Sequence, residues 1–140
     1  MRRGLSLADL GDLLDLPLVA VLATYRSDGS VLLSPVWQQW RDGGFDVVTG
    51  RDDVKARHLR ADSRAAIVVY EHTAPYRGVE LRGRASLAEV GAHDAALRLA
   101  VRYLGREQGE AYAARGADDT LIRLEPGELR AWDFADEYAA

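Results

Sequence analysis

The sequence predicts a mainly β, α+β fold: an antiparallel barrel of about six to seven strands with helices at its rim. Short apolar or alternating runs, partly β-branched, recur along the chain and are joined by Gly, Asp and Ser turn signals. Helical periodicity is inserted late, over residues 92–115, and two further strand-like runs close the chain. The length of 140 residues, 48% of them hydrophobic, matches one domain over residues 1–140 with one sizeable core. A chain this short buries about two thirds of its unfolded surface alone, so pairing with a second copy would add to its stability.

Ser6 is a candidate N-cap, and Leu7, Leu10, Leu13 and Leu14 follow at helical spacing opposite Asp9, Asp12 and Asp15, which predicts a first helix ended by Pro17. Leu18 to Tyr25 reads as a buried strand, and Ser27-Asp28-Gly29-Ser30 as a turn. Val31 to Trp40 reads as one second strand; Pro35 within it cannot donate to a ladder and implies a bulge or an edge. Arg41-Asp42-Gly43-Gly44 is a hairpin turn, followed by a third strand from Phe45 to Thr49. A glycine turn at Gly50 leads to a short helix over Val54 to Ala61, then a fourth strand from Arg64 to Glu71 and a loop from His72 to Pro75. Tyr76 to Val90 forms a fifth strand bent at Gly83, with Val79, Leu81 and Ala85 on one face and Glu80, Arg82 and Arg84 on the other. Helices are expected over Ala92 to Leu104 and Arg106 to Arg115, and strands over Asp119 to Leu124 and Leu129 to Phe134.

Composition narrows the function. A net charge of −4 argues against a general nucleic-acid or membrane surface. There is no cysteine, which removes disulfides, thiolate metal sites and thiol nucleophiles and fits a reducing cytoplasm. No apolar run approaches the roughly 20 residues of a membrane span, and no export signal is expected at the start of the chain. His58, His72 and His93 are widely spaced, with no HxH or HExxH pattern to suggest a metal centre. Neither nucleotide-binding glycine loop is present, and the adjacent pairs Asp52-Asp53 and Asp118-Asp119 read as turn or cap residues.

The stretch Thr49 to Leu59 stands apart. It runs from a strand into a helix start and holds Lys55, the only lysine of the chain, with Arg51, Arg57, Arg60 and Arg64 near it. Free amides at a helix start with bases around them suit an anion; charge alone equally fits a solvated helix face. Trp37, Trp40, Tyr70, Tyr76 and Trp132 fit either a core or the wall of a cofactor site. An anion site, aromatic strands and no acid–base machinery point to a holder of a cofactor that brings its own chemistry.

Three stretches, ATYRSDGSVLLSPVW (Ala23 to Trp37), DVVTGRDDVKARHLRADSRAAIVV (Asp46 to Val69) and PYRGVELRGRA (Pro75 to Ala85), continue through RYLG (Arg102 to Gly105) and TLIRLEPGELRAW (Thr120 to Trp132) to Asp133. In order and spacing they resemble the flavin-reductase-like split β-barrel superfamily, which includes pyridoxamine-phosphate oxidases, and within it the branch of probable enzymes dependent on coenzyme F420, a 5-deazaflavin. The resemblance implies a homodimer of split barrels with two cofactor sites at the interface. It implies Lys55 and Arg57 near the cofactor phosphate, with Arg51 and Thr49 beside them, and Ser34, Pro35, Val36 and Trp37 along the ring. Tyr76 and Arg77, and more remotely Trp132, would lie near the site, the first two supplied across the dimer. Oxidases of the superfamily that hold flavin mononucleotide (FMN) have Ser-Arg-Lys where this chain reads Asp53-Val54-Lys55, and bases in the second strand where this chain has none. That departure favours the deazaflavin, with its phosphate and tail along Lys55, Arg57 and Arg60. The expectation is therefore an F420-dependent oxidoreductase passing hydride to a small unsaturated or heteroaromatic substrate. The alternatives are an FMN-dependent oxidase or reductase and a non-catalytic cofactor-binding protein.

Overall fold

The computed structural model describes residues 1–116, 118–125 and 127–138; Pro126, inside the Thr120 to Trp132 stretch, and the end of the 1–140 domain reading fall outside these. Among the described residues eight antiparallel strands form one sheet: β1 (Ala20–Tyr25), β2 (Val31–Val36), β3 (Gln39–Arg41), β4 (Gly44–Gly50), β5 (Arg64–Tyr70), β6 (Gly78–Ala88), β7 (Asp119–Leu124) and β8 (Glu128–Trp132). The path runs β2-β1-β5-β6-β7-β4-β3, with β8 added on β6. Its two ends, β2 and β3, are joined by Trp37 and Gln38 alone, so the path has to curl back on itself. The result is a curled half-barrel, in agreement with the fold class read from the sequence.

Helices α1 (Val54–Ala61), α2 (Ala92–Leu104), α3 (Arg106–Ala114) and the single turn α4 (Ala135–Tyr138) complete the chain. The bounds of α1, α2 and β7 coincide with those read from the sequence. Inward residues of the strands make the core, among them Leu22, Phe45, Val47, Ile67, Val69, Val79, Leu81, Ile122 and Leu124; α1 adds Leu59. Among the described residues no helix is long and apolar enough to cross a membrane.

Three expectations need correction. The leucine-rich start is two 3₁₀ turns, Ala8–Leu10 and Leu13–Asp15, because Gly11 between them takes φ 60° and breaks the spiral. Ser6 and Asp9 still cap it reciprocally, each side chain accepting the other's amide hydrogen, and Leu10 and Leu13 are still buried. The predicted strand Val31 to Trp40 is two strands, since Gln38 turns inward, fully buried, and its amide donates to Tyr103 Oη at 3.0 Å. Gly50 is the last residue of β4 rather than a turn; residues 51–53 make the turn, closed by the Asp53 amide on the Gly50 carbonyl at 3.0 Å.

Other signals stand as read. Pro35 lies on an edge strand, where its missing donor costs no ladder bond. Asp42 and Gly43 take φ 49° and 77°, the positive pair that a two-residue hairpin demands. At Gly83 a Cβ would sit 2.8 Å from the Glu125 carbonyl oxygen, so only glycine lets the β7–β8 connection cross here. β6 pairs with β8 through Arg82 and with β7 from Ala85, so Gly83 marks the change of partner.

Candidate functional site

A cavity of about 520 Å³ opens at the seam where the two ends of the sheet path meet. The end of β2 supplies Pro35, Val36 and Trp37, and the end of β4 supplies Val48, Thr49 and Gly50. Lys55 enters from the first turn of α1, Ala96 and Leu99 from α2, Tyr112 from α3, and Val19 and Asp119 from the starts of β1 and β7. The volume lies in the range of small-molecule sites, roughly 300–1,000 Å³.

The walls are held from behind. Trp37 stacks on Tyr103 of α2 with ring centroids 5.1 Å apart and planes 6° from parallel. Tyr103 Oη donates to the Leu18 carbonyl at 2.7 Å while accepting from the Gln38 amide, which fixes the ring beneath Trp37. Arg102, one residue earlier, donates to the carbonyls of Leu14, Asp15, Leu16 and Gln38, tying α2 to the N-terminal turns. Tyr112 meets Trp37 at 5.5 Å and 57°. It is placed there by Gly109, where a Cβ would lie 2.5 Å from Val101 Cα, so α3 rests directly on the α2 backbone.

The charged end is more constrained than the sequence suggests. Asp53 caps α1: its Oδ1 accepts the Lys55 amide at 3.0 Å and also sits 3.0 Å from Lys55 Nζ. The Lys55 amide, with the ammonium beside it, holds the Asp53 carboxyl below the usual aspartate range. Lys55 is thus a paired cation, its side chain 17% exposed at the cavity.

Of the residues expected to bind the cofactor, Pro35, Val36, Trp37, Thr49 and Lys55 line this one cavity. Ser34 points inward from β2 and is buried beside it. Arg51 faces a separate cavity of about 200 Å³ and is paired with Glu89 at 3.3 Å and Asp118 at 3.1 Å. Arg57 is exposed on α1, near enough for its charge to act on Asp53. Arg77 is bound by Glu71 and Asp12, at 2.6 Å each, and by the Leu10 carbonyl; the carboxylates drive its pKa upward. Tyr76 packs on Phe134 and Tyr138. Trp132 lies under Arg130 and closes on Gly78, where any Cβ would clash with its ring. Sequence reasoning missed Val19, Val48, Ala96, Leu99, Tyr112 and Asp119; the apolar stripe of α2 signalled a buried face but not what it covers.

Residues 8–133 match the family model described as pyridoxamine 5'-phosphate oxidase. The chain belongs to this family. No curated protein matches it significantly in sequence. Among solved structures the pyridoxamine 5'-phosphate oxidase-like fold recurs in the conserved hypothetical protein Rv2991 from Mycobacterium tuberculosis, 24% identical with a TM-score of 0.83 over 97% of this chain and 89% of that one. It recurs in an F420 reductase, 26% identical with a TM-score of 0.70 over 84% of this chain and 93% of that one. An FAD-binding protein from Mesorhizobium loti is 20% identical with a TM-score of 0.65, covering 94% and 97% of the two chains.

Proposed function

We propose that the seam cavity binds the ring of a deazaflavin, coenzyme F420, and that the chain is an oxidoreductase acting on a small unsaturated or heteroaromatic substrate. The observation that carries this reading is the joining, in one cavity, of a fixed aromatic and aliphatic wall to a lysine at a helix start. A planar ring fits Trp37, Val36, Val48 and Leu99, and Lys55 with Arg57 would meet an anionic substituent once Lys55 exchanges its Asp53 partner. The bound deazaflavin supplies the hydride chemistry; this chain orients the ring, excludes water along the apolar wall and places one cation at the rim. The F420 reductase among the structural relatives supports the choice of cofactor, and the FAD-binding relative keeps FMN as the second reading. A non-catalytic carrier differs only in lacking turnover with reduced deazaflavin.

The reading includes a homodimer whose second copy covers each site. In its favour, the outward faces of β2, β1 and β5 carry Val31, Leu33 and Pro35 against Val21, Ala23 and Tyr25, and these against Ala66 and Val68. Leu33 is 65% exposed there and Val19 51%, and Val19 and Pro35 also line the cavity. A contiguous apolar face of this kind on a small chain marks an interaction surface, and most small homo-oligomers are two-fold. The cysteine-free sequence fits action in a reducing cytoplasm.

Oxidised F420 titrated into the protein should quench tryptophan fluorescence, and Trp37→Leu should remove most of that quench without unfolding the chain. Quenching that survives Trp37→Leu in full would place the ring elsewhere. Tight FMN binding with none of F420 would replace the cofactor and keep the cavity.

A further inference from the structure

Lys55 is engaged by Asp53 at both its amide and its ammonium, so an arriving anion meets a carboxylate already seated on the cation. Asp119, opposite Gly50 in the β4–β7 register, is the other charged residue lining the cavity. Lys55 (+1), Asp53 (−1) and Asp119 (−1) sum to −1, and Arg57, whose charge reaches Asp53, brings the rim to zero. A phosphate monoester carries about −1.5 to −2 at pH 7. A diester carries a single charge. A rim with no surplus positive charge opposes the second charge of a monoester far more than a ligand with one or none.

We propose that Asp53 sets the charge selectivity of the site, admitting a ring that bears a singly charged phosphodiester or no charge and disfavouring a phosphate monoester. This rests on the reading that the cavity holds a flavin-type ring. Asp53 does so from the N-cap of α1, where a carboxylate and a neutral Asn or Ser serve the helix nearly alike. The charge can therefore be removed while the cap is kept.

Riboflavin, a neutral ring, and FMN, its monoester, are titrated into wild type, Asp53→Asn and Asp53→Ser, with tryptophan quenching as the readout. Expected in wild type is FMN binding no tighter than riboflavin. Expected in Asp53→Asn is a gain of about tenfold in FMN affinity relative to riboflavin, the effect of one nearby charge, shrinking as salt is raised. Asp53→Ser should repeat it and gives the answer should the Asn variant fold poorly. Riboflavin binding unchanged, with the FMN-to-riboflavin ratio also unchanged in both variants, overturns the role of Asp53 and leaves the ring site standing. No quenching by either ligand in any of the three proteins overturns the ring site and this inference with it.

Discussion

Replacing Lys55 by alanine should weaken cofactor binding by less than a free surface lysine would suggest. A charge-assisted hydrogen bond to a phosphate contributes about 1.5–3 kcal/mol. To form it, Lys55 gives up Asp53, a pair whose members are 17% and 36% exposed. Pairs of that exposure are worth about 0–1 kcal/mol. Taking the middle of each range, the difference is about 1.7 kcal/mol, or roughly a twentyfold rise in Kd. Lys55→Arg should recover part of this, because the charge returns with another geometry. The apo protein should lose less than about 1 kcal/mol, since the amide of residue 55 still binds Asp53 and the cap of α1 persists. Calorimetric titration of oxidised F420, with FMN in parallel, into wild type and both variants measures the two affinity changes, and urea unfolding of the ligand-free proteins measures the third. Unchanged F420 affinity in Lys55→Ala would refute the reasoning; a loss beyond about a hundredfold would mean that Asp53 does not compete for the ammonium.

Light scattering at micromolar concentration should give twice the 15.4 kDa chain mass, and Leu33→Asp, at the centre of the apolar outer face, should give the single mass with the fold intact; a wild-type monomer would remove the shared-site reading. Asp46 is fully buried and takes Arg41 and Arg123 at 2.9 Å and Arg98 at 3.3 Å, so Asp46→Ala strands three guanidinium groups and should cost about 3–5 kcal/mol in urea unfolding. A loss under about 1 kcal/mol would show that solvent already satisfies those arginines. Asp62 has its pKa lowered from 3.8 to about 2, first by hydrogen bonds from the Arg64 guanidinium. Its folded pKa lies below the unfolded one, so its contribution is present above about pH 4 and lost as pH falls towards 2. Asp62→Asn should flatten that acid limb of stability, and an unchanged limb would refute the assignment.

Where a residue's neighbours in sequence decide its structure, the chain could be read directly. The Asp53 cap of α1, the apolar stripe of α2, the Asp42-Gly43 turn and the alternation of β6 are of that kind. The first segment misled because leucines at helical spacing are equally buried by two 3₁₀ turns once Gly11 interrupts them. The break at Trp37–Gln38 carries no glycine or proline; it is imposed by Tyr103, sixty-five residues away from Gln38. The same holds for the site. Lys55 stood out as a local feature, Pro35, Val36, Trp37 and Thr49 came through the family resemblance, and the five do converge. Tyr112 and Leu99 reach the cavity only through the packing of α3 on α2. Arg51 and Arg77 look alike in sequence to any anion-binding arginine, yet Glu89 and Asp118 occupy the first, and Glu71, six residues away, with the distant Asp12 occupies the second.

β6 also constrains how the protein is made. Its first edge finds β5 as soon as it emerges, because β5 precedes it. Its second edge waits for β7 and β8, which begin at residues 119 and 128. From Ala88 to Asp119 is 31 positions (119 − 88), about 2–6 s of synthesis at typical rates. Over that interval α2 and α3 can form locally, but a long strand edge stays open, and open edges recruit other chains. Arg82 and Arg84, which point outward along that edge, put positive charge on it during the wait. A stall after α3 would leave the nascent chain at its most adhesive point.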